Sequence, residues 1–215
     1  MSYNWKRFWR PREGRLDLSD GGYLRDPDAD EYHICNPEVV PFSSISDVPC
    51  LILLGEPGIG KTSAMKAERI DIDKKIEEDG NKTLWLDLNE YKSEDRLIQE
   101  LFEDKKFDEW KQGNFRLYIF LDSLDECLLR IDTLAALLVN KLTMYPVERL
   151  NLRVACRTAN WPNILEDAFK DVWGTDAVKV YELAPLRRKD VVEAAKANSL
   201  NLSAFLSEGS DLPIG

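Results

Sequence analysis

LILLGEPGIGKTSAM, residues 51–65, decides how the rest of the chain is read. The preceding VPCLILL, residues 48–54, is a continuous apolar run, the pattern of a strand buried on both faces. From Lys61 to about Glu78 the spacing is helical, and Gly80 stops it. Between strand and helix lie Gly55, Glu56, Pro57, Gly58, Ile59, Gly60, Lys61 and Thr62, which fit GxxxxGK[ST] at every fixed position. From average residue frequencies a chance match in a chain this long is on the order of 1 %. The plainer alternative is a glycine-rich turn ahead of an amphipathic helix. The functional one is a loop whose glycines let backbone N–H groups turn inward around a polyphosphate, with the helix N-terminus adding its positive dipole end. Lys61 then reaches the outer phosphates, Thr62 offers a hydroxyl to Mg²⁺, and Ser63 continues the nucleotide-binding segment.

Outward from the loop, strand and helix patterns alternate. TLWLDL (83–88), RLYIFL (116–121), NLRVAC (151–156) and AVKVYEL (177–183) read as further strands. Helical stretches run over about 93–111, 131–145, 161–169 and 187–198, with Gly113 and Pro146 as stops. Strands spaced by helices imply an α/β fold: a three-layer sandwich of the P-loop NTPase type, with a five-stranded, mainly parallel sheet and helices on both faces. Residues 16–47, broken by Gly21-Gly22 and three prolines, read as irregular. The expected organisation is an N-terminal extension over 1–47, a nucleotide-binding core over 48–200 and the start of a further region over 201–215.

A nucleotide site needs a second half, and RLYIFLDSLDE (116–126) supplies one. An aspartate at the carboxyl end of a parallel strand faces the crevice where such sheets bind ligands. Asp122 is therefore the second candidate Mg²⁺ ligand beside Thr62, while Asp125 or Glu126 can orient or deprotonate an attacking water. Glu126 is the preferred base, and an acidic cap on the next helix is the alternative. The strand ending in Cys156 is expected between the loop strand and the Asp122 strand, which would place Arg157 where it senses the outermost phosphate. No guanine-reading NKxD occurs, which favours ATP or ADP over GTP.

Composition narrows the classes. The 215 residues are 44 % hydrophobic, enough for a sizeable core, and no apolar run reaches the length of a membrane span. Four scattered cysteines, with His33 the single histidine, exclude a zinc site of ordinary spacing and give no disulfide framework, which suits a reducing cytoplasm. Cys50, Cys127 and Cys156 read as packing residues, and His33 as a loop histidine. A net charge of −10 argues against a global nucleic-acid-binding face. The exception is residues 1–15, where Lys6, Arg7, Arg10, Arg12 and Arg15 interleave with Tyr3, Trp5, Phe8 and Trp9. Such an arm either grips a nucleic acid or acidic partner or docks its aromatics onto the domain.

GEPGIGKT, LDSLDE and the arginine of CRT together resemble the NACHT branch of the STAND class of P-loop NTPases. The branch has a tiny residue after the metal aspartate, here Ser123, and an acidic pair two and three positions beyond that aspartate's neighbour, here Asp125-Glu126. YELAPLRRKDV (181–191) resembles the family's passage from its last strand into a helical region, and the likeness covers roughly residues 48–195. It implies a signalling switch, held closed by ADP, released by exchange for ATP, and serving defence in many members. It also implies helical, winged-helix and sensor domains beyond the core, and protein partners or self-assembly through them. The competing classes are a motor ATPase of the AAA+ or helicase kind and an interaction module that does not hydrolyse nucleotide.

Overall fold

The computed structural model describes residues 5–19, 21–28 and 35–197. Tyr3, His33 and residues 201–215, named above, lie outside these. The described residues divide into two compact units, one formed by the chain from Ser46 to Glu182, the other by the chain up to Ile45 together with that from Leu183 onward.

The larger unit is an α/β layer structure. Its strands are β3 (Cys50–Leu54), β4 (Lys82–Asp87), β5 (Leu117–Asp122), β6 (Leu150–Cys156) and β7 (Val178–Leu183, which ends at the junction). They pair in parallel in the order β7-β3-β6-β5-β4. The strand after the third crossover thus lies between the loop strand and the strand of Asp122, as the reading of Arg157 required. All five residues of β3 and all seven of β6 are buried, which explains their lack of polar alternation.

Side-chain alternation divides the sheet between two layers. Ile52, Leu84, Leu86, Ile119, Leu121, Leu152 and Val154 join a core with apolar residues of α2 (Glu94–Phe102), α3 (Lys105–Gln112), α4 (Ile131–Leu142) and α5 (Asn163–Trp173). On the other face, α1 (Lys61–Asp79) sends Arg69 to the Thr83 hydroxyl, Lys66 over the Trp85 ring and Glu68 to Arg153. Helices therefore cover both faces.

Local chemistry sets the element ends. Gly80 takes a left-handed φ of 67° after α1, and Gly174, at φ 87°, closes α5 with its N–H on the Lys170 carbonyl. The helical stretch expected over 93–111 is two helices. The Asp104 side chain accepts the Lys106 N–H at 2.7 Å and starts α3 anew, as the Ser93 hydroxyl starts α2. An acid in a charged stretch passes equally well as a helix-surface residue, so the periodicity alone did not reveal the break.

The smaller unit corrects the strand count, which among the described residues is seven and not five. It contributes β1 (Phe8–Pro11) and β2 (Val40–Pro41), an antiparallel pair in which Phe8 faces Pro41 and Trp9 faces Val40. Part of the stretch read as irregular is thus extended. Strands of four and two residues that contain Arg10 and Pro11 carry too little alternation to be seen in a sequence. Phe8, Leu24, Val39 and Ala184 form this unit's small core, and the Trp9 ring meets Phe42 edge-on at 5.9 Å. Arg187, almost fully buried at the start of α6 (Arg188–Ala197), binds Asp26, Asp28 and both oxygens of Asp190.

Candidate functional site

The GEPGIGKT segment leaves the end of β3 and returns as the first turn of α1. Gly58 and Gly60 hold φ values of 73° and 101°, which side chains other than glycine rarely adopt. A Cβ built on Gly58 would meet nothing within 4 Å, so the requirement there is torsional and the space beside it is open. Ala64 N–H to the Gly60 carbonyl begins the α1 ladder, so the amides of Lys61, Thr62 and Ser63 precede it and lack helical acceptors. Lys61 curls back over its own loop: Nζ donates to the carbonyls of Gly55, at 2.6 Å, and Glu56, at 3.1 Å. Partial burial lowers its pKa against the pull of Asp125 and Asp122.

One cleft of about 310 Å³ collects what the sequence had separated. It is lined by Pro57, Gly58, Gly60, Lys61 and Thr62 from the loop, Asp122, Ser123, Asp125 and Glu126 from the end of β5, and Ala155 and Arg157 from the end of β6. Gly55, Glu56, Ile59 and Ser63 belong to the same loop and helix turn without lining the cleft. Asp122 is 3 % exposed. Burial raises its pKa, while a hydrogen bond from Thr62 and the Ser123 N–H, at 3.0 Å from Oδ1, work in the other direction. The two candidate Mg²⁺ ligands therefore line one cleft, close enough for Thr62 to act on the Asp122 carboxyl. The oxygen donors, one buried carboxylate and one hydroxyl, match the hard-oxygen chemistry that Mg²⁺ takes from a protein. The loop's open amides and Lys61 suit phosphate oxygens. The residues present fit the nucleotide and its cation.

The two candidate acids differ sharply. Asp125 is buried and fixed: Oδ1 accepts the Arg157 backbone N–H at 3.1 Å, and Oδ2 lies 2.7 Å from Arg157 Nε. The Glu126 side chain is 45 % exposed and touches Arg157 Nη2 at 2.8 Å. Asp125 thus fastens the end of β6 to the turn after β5, and Glu126 is the more exposed of the two acids, paired with Arg157 at the cleft. The ion pairs themselves lay beyond sequence reasoning, because two loops far apart in the chain meet only through the strand order. Cys156, at the end of β6, has its thiol pushed up to about 12, by burial first, so it stays protonated beside the site.

Lys66 and Asp87 were not singled out by the sequence. Asp87 pairs in register with Asp122, and Lys66 stands one turn beyond Thr62, so both act electrostatically on the Asp122 carboxyl. The signal available was the aspartate closing TLWLDL, the counterpart of the one closing RLYIFLD.

No family model and no curated protein matches the chain. Solved structures similar to part of it include two of low identity. Caenorhabditis elegans PCH-2 aligns at 20 % identity over 64 % of this chain and 35 % of that one, with a TM-score of 0.41. Saccharomyces cerevisiae RIF2 aligns at 11 % identity over 78 % of this chain and 63 % of that one, also at 0.41. The chain thus spans about a third of the first protein's length and under two thirds of the second's. The class defined by fold and site is an α/β protein with a mainly parallel sheet and a P-loop-like strand–loop–helix that begins at the interior strand β3. No helix among the described residues is long and apolar enough to cross a membrane.

Proposed function

We propose that the cleft binds ATP and ADP with Mg²⁺ and that the chain hydrolyses ATP slowly, as the nucleotide-binding part of a signalling switch of the STAND kind. One observation carries this reading: a glycine loop with its lysine and threonine, a buried aspartate and an exposed glutamate meet in one cleft. The loop amides and Lys61 bind the phosphates, and Thr62 and Asp122 hold the cation. When bound, Mg²⁺ neutralises charge that builds on the phosphoryl oxygens. Glu126 orients a water and accepts its proton. The NACHT assignment, and with it a role in defence, rests on LDSLDE and the arginine of CRT as sequence patterns.

Thermal unfolding with Mg²⁺ and ATP or ADP tests the site. At ligand one hundred times the dissociation constant, binding to the folded state adds about 2.7 kcal/mol. For a chain of this size that raises Tm by roughly 5–11 °C. Lys61→Ala abolishes most of that rise while leaving the Tm without nucleotide nearly unchanged. An equal rise in the variant would remove the assignment.

A further inference from the structure

Both cations that line the cleft are engaged by the protein's own oxygens. Lys61 lies on two loop carbonyls, and Arg157 lies between two carboxylates. The second arrangement has a consequence for the site. Asp125 is buried and also holds the Arg157 backbone, so that half of the contact is an anchor. The Glu126 half is different. Both of its partners are more than two-fifths exposed, and a single contact at 2.8 Å joins them. Exposed ion pairs of this kind are weak. The outermost phosphate of a triphosphate carries more charge than a carboxylate and offers several acceptor oxygens, so it competes for the same guanidinium from within the same cleft.

We propose that Arg157 and Glu126 form an autoinhibitory clasp that the third phosphate opens. While the clasp is closed, the Glu126 carboxylate is occupied by Arg157 and is held from the water it would orient. When Nη2 turns to the outermost phosphate, Glu126 is released, and Asp125 keeps the arginine at the end of β6. Recognition of the third phosphate and arming of the base are then one event. ADP lacks that phosphate and leaves the clasp shut. The inference rests on the nucleotide reading given above and adds its regulation.

The test is a double-mutant cycle on binding, using wild type, Glu126→Ala, Arg157→Ala and the double variant, each titrated with Mg²⁺-ADP and with a non-hydrolysable ATP analogue. The analogue removes any apparent tightening caused by blocked hydrolysis. Glu126→Ala is expected to tighten the analogue about three- to tenfold, with ADP unchanged within about twofold, because the competitor for Arg157 is gone. In the Arg157→Ala background the same substitution is expected to leave the analogue within about twofold. Glu126→Gln, which keeps the side chain's shape without its charge, should follow the same pattern. Equal tightening with and without Arg157 would mark Glu126 as a plain repulsive charge and overturn the clasp. So would the absence of selective tightening in the single variant. A wild-type chain that binds neither nucleotide would overturn the nucleotide reading and the clasp together, whereas good binding with a flat cycle would overturn the clasp alone.

Discussion

Ser123 sits at φ 58° and ψ 41°, the single non-glycine with positive φ among the described residues. A side chain pays about 1–2 kcal/mol for that conformation because Cβ crowds the following carbonyl. The strain is placed where it is used. It turns the chain straight after Asp122, sets the Ser123 N–H on the Asp122 carboxylate, and lets the Ser123 carbonyl accept the Glu126 N–H. One torsion thus aims Asp122 and the acidic pair together. Ser123→Gly is expected to hold stability or gain up to about 1 kcal/mol, and Ser123→Val to lose roughly 1–3 kcal/mol. Urea unfolding of the three proteins measures this, and a valine variant as stable as wild type would show that the turn is unstrained. The sequence made the small residue legible through the LDSLDE pattern. Its backbone conformation was not, since a single torsion leaves no trace in periodicity.

At the scale of elements, Arg153 shows a different limit. NLRVAC was readable as a buried strand, yet nothing in the run said what a charge does inside it. Arg153 is fully buried and donates to the carbonyls of Ser46, at 2.6 Å, Val48, at 2.7 Å, and Leu152, at 3.1 Å, and to Glu68 Oε1 at 3.2 Å. It therefore ties β6 to the segment entering β3 and to α1, whose first turn carries Lys61 and Thr62. A pairing 85 residues apart in sequence becomes visible only once the topology is known. Burial pushes the Glu68 carboxyl up to about 7, outweighing the pull of Arg153. Its ordinary value in the unfolded chain is 4.5. Between those two values the folded state binds more protons than the unfolded one, so this contribution is full below the lower value and falls as pH rises through the upper. Relative to Glu68→Gln, the wild type is expected to lose up to roughly 3 kcal/mol of stability between pH 5 and 8. Chemical unfolding of both proteins across that range measures it. A constant difference would show that the carboxylate stays ionised throughout.

For the molecule as a whole, the choice between switch and motor turns on what reaches the nucleotide and what the surface attracts. The order β3-β6-β5 was expected from the class of fold that the glycine loop and the Asp122 strand resemble, and Arg157 was placed from that order, whereas β1 and β2 were not legible, being too short to alternate. Their residues bear on the motor reading. Phe8 and Trp9 are buried, so they offer no stacking face to a nucleic acid. Lys6 pairs with Asp28, Arg7 donates to the Ala184 carbonyl, and Arg10 donates to the carbonyls of Arg12 and Gly14. With a net charge of −10, the chain repels a polyanion at long range, and Lys6, Arg7 and Arg10 hold internal partners at short range. A switch also needs a nucleotide state that lasts, so turnover should lie far below the enzyme median of about 10 s⁻¹. Steady-state phosphate release by the intact chain at 0.15 M salt is therefore expected to be slow. Single- or double-stranded DNA should change it by less than about twofold, since contacts by Lys6, Arg7 and Arg10 must first displace internal ones. Fast release stimulated many-fold by DNA would favour the motor and make Lys6 to Arg15 its contact. Slow release that Lys61→Ala abolishes, with DNA without effect, is the behaviour a switch requires.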